Sequence, residues 1–366
     1  MSDGKEGEAE FWSAVNYEHP DVRGQAFLLI KDVCERYDVD GIELDFCRAP
    51  LLFKPQMQGL PVERKHLAMM SEFVRRVRTM TESVSERRKR PLLIAVRVPD
   101  SPVVCRRIGL DVEDWLGEEL IDILVPGGDW HLVPHAVPVS LGHKYNVPVY
   151  PCISPYTGTP PAYMRGSLTA EDRKAVLSAW RGEAASIWHS GADGVYFFNV
   201  FSPEDQRWRE LGDPALLAGL DKTYVAYSAK TLDSYLGEGQ EAALGMPPVL
   251  LREGETQVVR FHVGENVRQE AAEEALSELK LSLYLGQLTS QDDISFRLNG
   301  TALSGLKPPN PLSATAADHW LECAPNPTQI NQGENRVEAT LNRRSKDAQE
   351  PLLLSDVWLS IGYGDV

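Results

Sequence analysis

No stretch of this chain is long and apolar enough to span a membrane. Its opening residues, MSDGKEGEAEFW, lack the basic and apolar regions of a secretion signal. A membrane is therefore not expected among the partners. The cytoplasm is the default compartment, unless a missing N-terminal segment carried an export signal. Positive charge is also short: 37 Lys and Arg stand against 53 Asp and Glu, a net charge of −16. Phosphate backbones are held by positive surfaces, so nucleic acid is excluded as the main partner. The one basic run, Arg87-Arg88-Lys89-Arg90, stands just before Pro91 and reads as the cationic end of a helix. The five cysteines form no CxxC pair and no zinc spacing, which points to scattered core thiols. His131 and His135 could be metal ligands in principle, but the sequence shows no third ligand clustered with them, so no metal is expected. Gly-rich phosphate loops are missing, which argues against a nucleotide cofactor, and so is the GxSxG elbow of esterases. No cofactor is expected.

What the chain does have is 366 residues, enough for two domains, and one stretch that organises the first of them. In Tyr37 to Arg48, YDVDGIELDFCR, Asp40-Gly41 is a turn signal, and Ile42 to Phe46 then alternates apolar and acidic residues with period two. Ile42, Leu44 and Phe46 share one face of a strand, and Glu43 and Asp45 share the other. Paired acids on an inward face need either cations beside them or chemistry to perform.

Around this strand the pattern alternates between helix and strand. Pro20 opens a helix with an apolar stripe of Val22, Ala26, Phe27, Ile30 and Val33, and a second helix is expected over 62–86. Further strands are expected at Leu92–Val98, Ile121–Val125, Val147–Ile153 and Val195–Val200, with a helix capped by Thr169 before the last. Asp193-Gly194-Val195 repeats the device of Asp40-Gly41-Ile42, a turn that launches a strand after a helix. Five strands alternating with helices predict an α/β fold with a parallel sheet, in which the loops that follow the strands form one face. Beyond about residue 224 the pattern changes to short alternating strands separated by turns, including Gln257–Val263, Leu279–Leu285, Ile294–Asn299, Arg336–Leu341 and Val357–Tyr363. That predicts an antiparallel, jelly-roll-like β-sandwich. The expected domains are 1–240 and 246–366.

With the strands placed, the stretch from Pro20 to about Asn199 resembles the glycosyl-hydrolase-like (β/α)8 barrels, also described as family-10-like glycosylhydrolases. The phrases that carry the resemblance are YDVDGIELDFCR, RVPDSP, GLDVEDW and ADGVYFFNV. It implies a partial TIM (β/α)8-type barrel lacking its first three strands, completed by a missing N-terminal segment or a homo-oligomer. It also implies hydrolysis of glycosidic bonds by a carboxylate pair, with carbohydrate as the partner, or a non-catalytic carbohydrate-binding remnant of such an enzyme. On the pattern of related barrels, Asp45 is the nucleophile or base and Asp129 the acid, with Glu43 in reserve as the second carboxylate. The alternative pairs Asp45 with Arg48 or Arg97, gives Asp129 a turn or cap, and makes Glu43 a structural partner of Arg97. Asp100 either binds sugar hydroxyls or closes its turn. Asn199 is a polar clamp candidate, and Trp130, Tyr156 and Trp208 are candidate stacking surfaces for sugar rings.

Overall fold

A computed structural model of the chain describes residues 14–47, 50–128, 131–153, 169–226, 247–308, 310–313 and 315–364. These residues form two compact units. The first comprises the described residues up to Cys152 together with Ala192–Tyr196, and the second comprises Ile153–Gly191 and the described residues from Phe197 onward. The sequence boundary expected at 240–246 lies outside the described residues.

In the first unit, helix α1 (Pro20–Arg36) feeds strand β1 (Gly41–Asp45), and the short helix α2 (Lys54–Met57) precedes the long helix α3 (Arg64–Arg88). Strand β2 (Leu93–Val98), helices α4 (Pro102–Arg107) and α5 (Val112–Gly117), strand β3 (Ile123–Pro126) and helix α6 (Ala136–Lys144) follow. Strands β1, β2 and β3 pair in parallel in that order. Two-residue strands β4 (Cys152–Ile153) and β5 (Tyr196–Phe197) stand where the chain passes between the units. On the first unit's side the parallel run continues: Leu124 bridges Val149 in parallel, the Asp193 amide donates to Val149 at 3.0 Å, and the Tyr196 amide donates to Pro151 at 3.0 Å. The expected strand over 147–153 is cut short because Pro148 and Pro151 have no N–H to give to a ladder.

The two Asp-Gly turns have a steric reason. A Cβ on Gly41 would stand 2.8 Å from the carbonyl oxygen of Leu93, and one on Gly194 would stand 2.6 Å from the Tyr150 ring. Only glycine admits the neighbouring strand so closely. Asp193 Oδ2 fixes the second turn by accepting from the Val149 amide and from His143 Nε2, both at 2.8 Å.

Met70, Phe73, Val74, Val77, Met80 and Val84 form the inward face of α3, which confirms its period, and Lys89 ends it in the left-handed region. On α1 the expected stripe is only partly buried. Phe27 and Cys34 are covered, whereas Val33 is 40% and Leu29 70% exposed. Phe27 is capped by the guanidinium of Arg76, 3.8 Å from its ring centre, so α3 covers one edge of α1 and leaves the next one open.

The second unit holds helix α7 (Ala170–His189), capped by Thr169 as expected, short helices α8 (Arg207–Glu210), α9 (Pro214–Leu217) and α10 (Val267–Ala272), and an antiparallel sandwich. One sheet contains β6 (Lys222–Val225), β7 (Val249–Leu251), β9 (Glu278–Leu288), β12 (Ala317–Cys323) and β14 (Leu352–Gly362). The other contains β8 (Thr256–Val263), β10 (Asp293–Leu298), β11 (Thr301–Ala302) and β13 (Gly333–Arg343). Alternate residues, among them Val259, Phe261, Val263, Leu281, Leu283, Leu285, Val337, Ala339 and Leu341, interleave in the core between the sheets. Strands β6, β7, β11 and β12 were not expected. The pattern of β12, with Asp318, His319 and Glu322 among its apolar residues, hides its period.

The close approach at Gly41 yields a paired outcome. In urea unfolding of the first unit's transition, Gly41→Ala is expected to cost about 1–3 kcal/mol through overpacking. Gly24→Ala, inside α1 with nothing within 4 Å of its added Cβ, is expected to stabilise by about 0.5–1 kcal/mol. Equal effects of the two substitutions would contradict the steric reading.

Candidate functional site

Strand β1 carries its two acids to the C-terminal end of the parallel sheet, and both remain accessible while Leu44 between them is buried. The register then decides which acid takes the cation. Asp45 stands directly opposite Arg97 on β2, whereas Glu43 stands opposite Ala95. Arg97 accordingly forks onto Asp45, with Nε 3.1 Å from Oδ1 and Nη2 2.9 Å from Oδ2, and the amide of Cys47 adds a bond to Oδ1 at 2.9 Å. The guanidinium is 1% exposed and the Asp45 side chain 32%. Burial opposes the charge on Arg97, but its bonds to Asp45, together with the charges around it, hold the pKa above the usual arginine value. Glu43 is therefore not the partner of Arg97 that the sequence suggested.

Instead the hydroxyl of Tyr196 donates to Glu43 Oε1 at 3.2 Å. Partial desolvation raises the Glu43 pKa, and the charge of Asp45 adds to that rise. The Tyr196 hydrogen bond and the charge of Arg97 work the other way without cancelling it. Burial, followed by the charge of Glu43, raises the Tyr196 pKa, so the phenol stays protonated as a donor.

The floor beside the pair is made of thiols. Cys47 Sγ contacts the Gly127 carbonyl at 3.4 Å, and Arg97 Nη1 lies 3.9 Å from Cys152 Sγ. Burial pushes the Cys47 thiol well above its usual range, so it is no nucleophile. All five cysteines are buried thiols, as expected.

Among the other expected site residues, Asp100 and Trp208 have partners of their own and others lie outside the described residues. Asp100 is 3% exposed, and its Oδ2 accepts from the amides of Leu132 at 2.8 Å and Val133 at 3.3 Å, which closes its loop. Asn199 is exposed in the second unit in the left-handed conformation that Asn tolerates. Trp208, also in the second unit, packs edge-on against Phe197 at 4.8 Å and donates to the Ser202 carbonyl at 2.9 Å. Arg48, Asp129, Trp130 and Tyr156 lie outside the described residues. Tyr196 was missed. In the run VYFFNV it looks like any core aromatic, and only the fold brings its hydroxyl to β1.

No protein-family model and no curated protein matches the chain. Among solved structures, it is similar to a family 86 β-porphyranase from Bacteroides plebeius, at 14% identity over 40% of this chain and 21% of that one, with a TM-score of 0.25. A family 18 N-acetylglucosaminidase from Paenibacillus barengoltzii matches at 14% identity over 56% of this chain and 77% of that one, with a TM-score of 0.36. A cell-surface-expressed chitinase from a Paenibacillus species matches at 10% identity over 87% of this chain and 40% of that one, with a TM-score of 0.39. The chain thus spans about a fifth of the β-porphyranase. These neighbours are glycoside hydrolases. Likenesses this distant carry no functional assignment, which is left to the side chains.

Two outcomes follow from the geometry. Asp45→Asn takes away the charged carboxylate onto which the buried guanidinium forks. It is expected to cost about 2 kcal/mol in urea unfolding, below the full price of a buried pair because Asp45 is partly solvated; an unchanged midpoint contradicts the pairing. Because the folded-state pKa of Glu43 is raised, the folded state holds this proton more tightly than the unfolded chain. The contribution is complete below the ordinary glutamate value of 4.5 and is lost as pH rises through the raised folded value. Glu43→Gln is expected to flatten the stability profile across that window, and a profile parallel to the parent's argues against it.

Proposed function

We propose that the chain is a carbohydrate-active hydrolase in which Glu43 carries the proton and Asp45, clamped by Arg97, supplies a fixed negative charge. The observation that supports this most is the divergence of two accessible carboxylates on one face. Three donors occupy the oxygens of Asp45, and Glu43 has a raised pKa and a single hydroxyl partner among the described residues. Pairs of acids driven apart by their surroundings are how a site assigns acid and anion roles. Protonated Glu43 gives its proton to the glycosidic oxygen as the bond breaks, and the carboxylate of Asp45 stabilises the positive charge that develops on the sugar ring or orients the attacking water.

This reading takes the parallel half as part of a (β/α)8-type barrel. In support, β1 is an outer strand of its sheet among the described residues, Leu29 and Val33 are exposed on α1, and so is Tyr37 just beyond its end. A further βα segment or a second copy of the chain is the partner that surface fits. A second reading, a glycan-binding protein without turnover, is favoured by the engagement of Asp45, which leaves it poorly placed to attack carbon.

Release of reducing sugar from a glycan panel decides between them. Hydrolysis predicts turnover that falls about 10²–10⁴-fold in Glu43→Gln. Retention of a glycan in affinity electrophoresis without any release supports the binding reading, and undiminished release by Glu43→Gln removes Glu43 from the chemistry.

A further inference from the structure

We propose that Tyr196 is a positioning residue whose hydroxyl fixes the orientation and the protonation of Glu43. The proposal deepens the hydrolase reading and rests on it for its catalytic meaning, although its test does not need turnover. Tyr196 enters from the end of the parallel run opposite to β1, anchored by its own amide on the Pro151 carbonyl at 3.0 Å, and reaches Glu43 Oε1 at 3.2 Å. One hydroxyl thereby links segments 153 residues apart in sequence, across the accessible face that carries both acids.

Desolvation and three groups set the charge on Glu43. Desolvation by the surrounding protein opposes ionisation, the Tyr196 hydroxyl favours it, Asp45 two residues along the same strand disfavours it, and Arg97 on β2 favours it. Cys152, beside Arg97, is also close enough to act on the phenol. Among these, Tyr196 is the one neutral donor that touches the carboxylate itself. Its bond exists only while the phenol holds its proton, and burial together with the charge of Glu43 keeps it there. A phenol O–H bonded to one carboxylate oxygen leaves the other, which has no hydrogen-bond partner among the described residues, to carry the proton that a leaving-group oxygen would receive. Removing the hydroxyl alone, with the ring and its packing retained, should let Glu43 keep its proton to higher pH. Removing the Asp45 charge should do the opposite.

The test is a carboxyl titration by NMR on the full chain labelled with ¹³C at glutamate Cδ. Glu43→Gln identifies the Glu43 resonance, and circular dichroism shows that each variant is folded. The Glu43 midpoint is expected to move up in Tyr196→Phe and down in Asp45→Asn. An unmoved or lowered midpoint in Tyr196→Phe overturns the proposal, as does a parent midpoint at the ordinary glutamate value. Where sugar release is measurable, the pH–rate profile of Tyr196→Phe is expected to shift in the same direction as the carboxyl midpoint. A fall in kcat with an unmoved profile marks Tyr196 as merely structural and overturns it too. A chain that releases no sugar yet shows the opposed shifts removes the hydrolase reading and leaves the Tyr196–Glu43 coupling standing.

Discussion

The site depends on one cross-strand ion pair. Parallel pairing of β1 with β2 sets Asp45 opposite Arg97, and the nearly inaccessible guanidinium forks onto its carboxylate. A buried arginine without that partner would be costly. The pair therefore pins the register of the two strands and also decides that, of two acids two residues apart, Asp45 is the fixed charge. Everything about Glu43 follows from being the acid left over. It faces an open surface, feels the charge of its neighbour, and takes its hydrogen bond from the far end of the sheet.

That division of labour was half legible in the sequence. The period of Ile42 to Phe46 placed Glu43 and Asp45 on one face, and the run LLIAVRV placed Arg97 on a neighbouring strand. Assigning Arg97 to one acid needed the inter-strand register, which no single strand contains. Here Asp45 and not Glu43 lies opposite Arg97. Tyr196 was invisible for a related reason, because a tyrosine between Val195 and Phe197 gives no local hint that its hydroxyl crosses to a strand 153 residues earlier.

Architecture was read better than detail. The period of α3 survived because that helix packs along its length, that of α1 only in part, and the Asp-Gly turns survived because their glycines answer to the neighbouring strand. Strand ends were misjudged where proline removed a ladder donor, as in Val147 to Ile153, and also without proline in Val195 to Val200, which shortens to Tyr196–Phe197. In the sandwich, residues such as Val259 and Phe261 announced β8 by alternation, whereas His319 and Glu322 masked β12. Asp100 at its strand end had two readings, a sugar ligand or a turn closure, and two backbone amides on its Oδ2 match the second. Charge at the end of a parallel strand is thus a reason to look at a residue, and its hydrogen bonds decide what it does.

The most direct measurement is a crystal structure of the chain with a bound oligosaccharide. The expected result places a glycosidic oxygen about 2.6–3.2 Å from Glu43 while Arg97 keeps its fork on Asp45. A sugar bound only elsewhere, or an Asp45 released from Arg97 to meet it, would contradict the assignment of roles to the two acids.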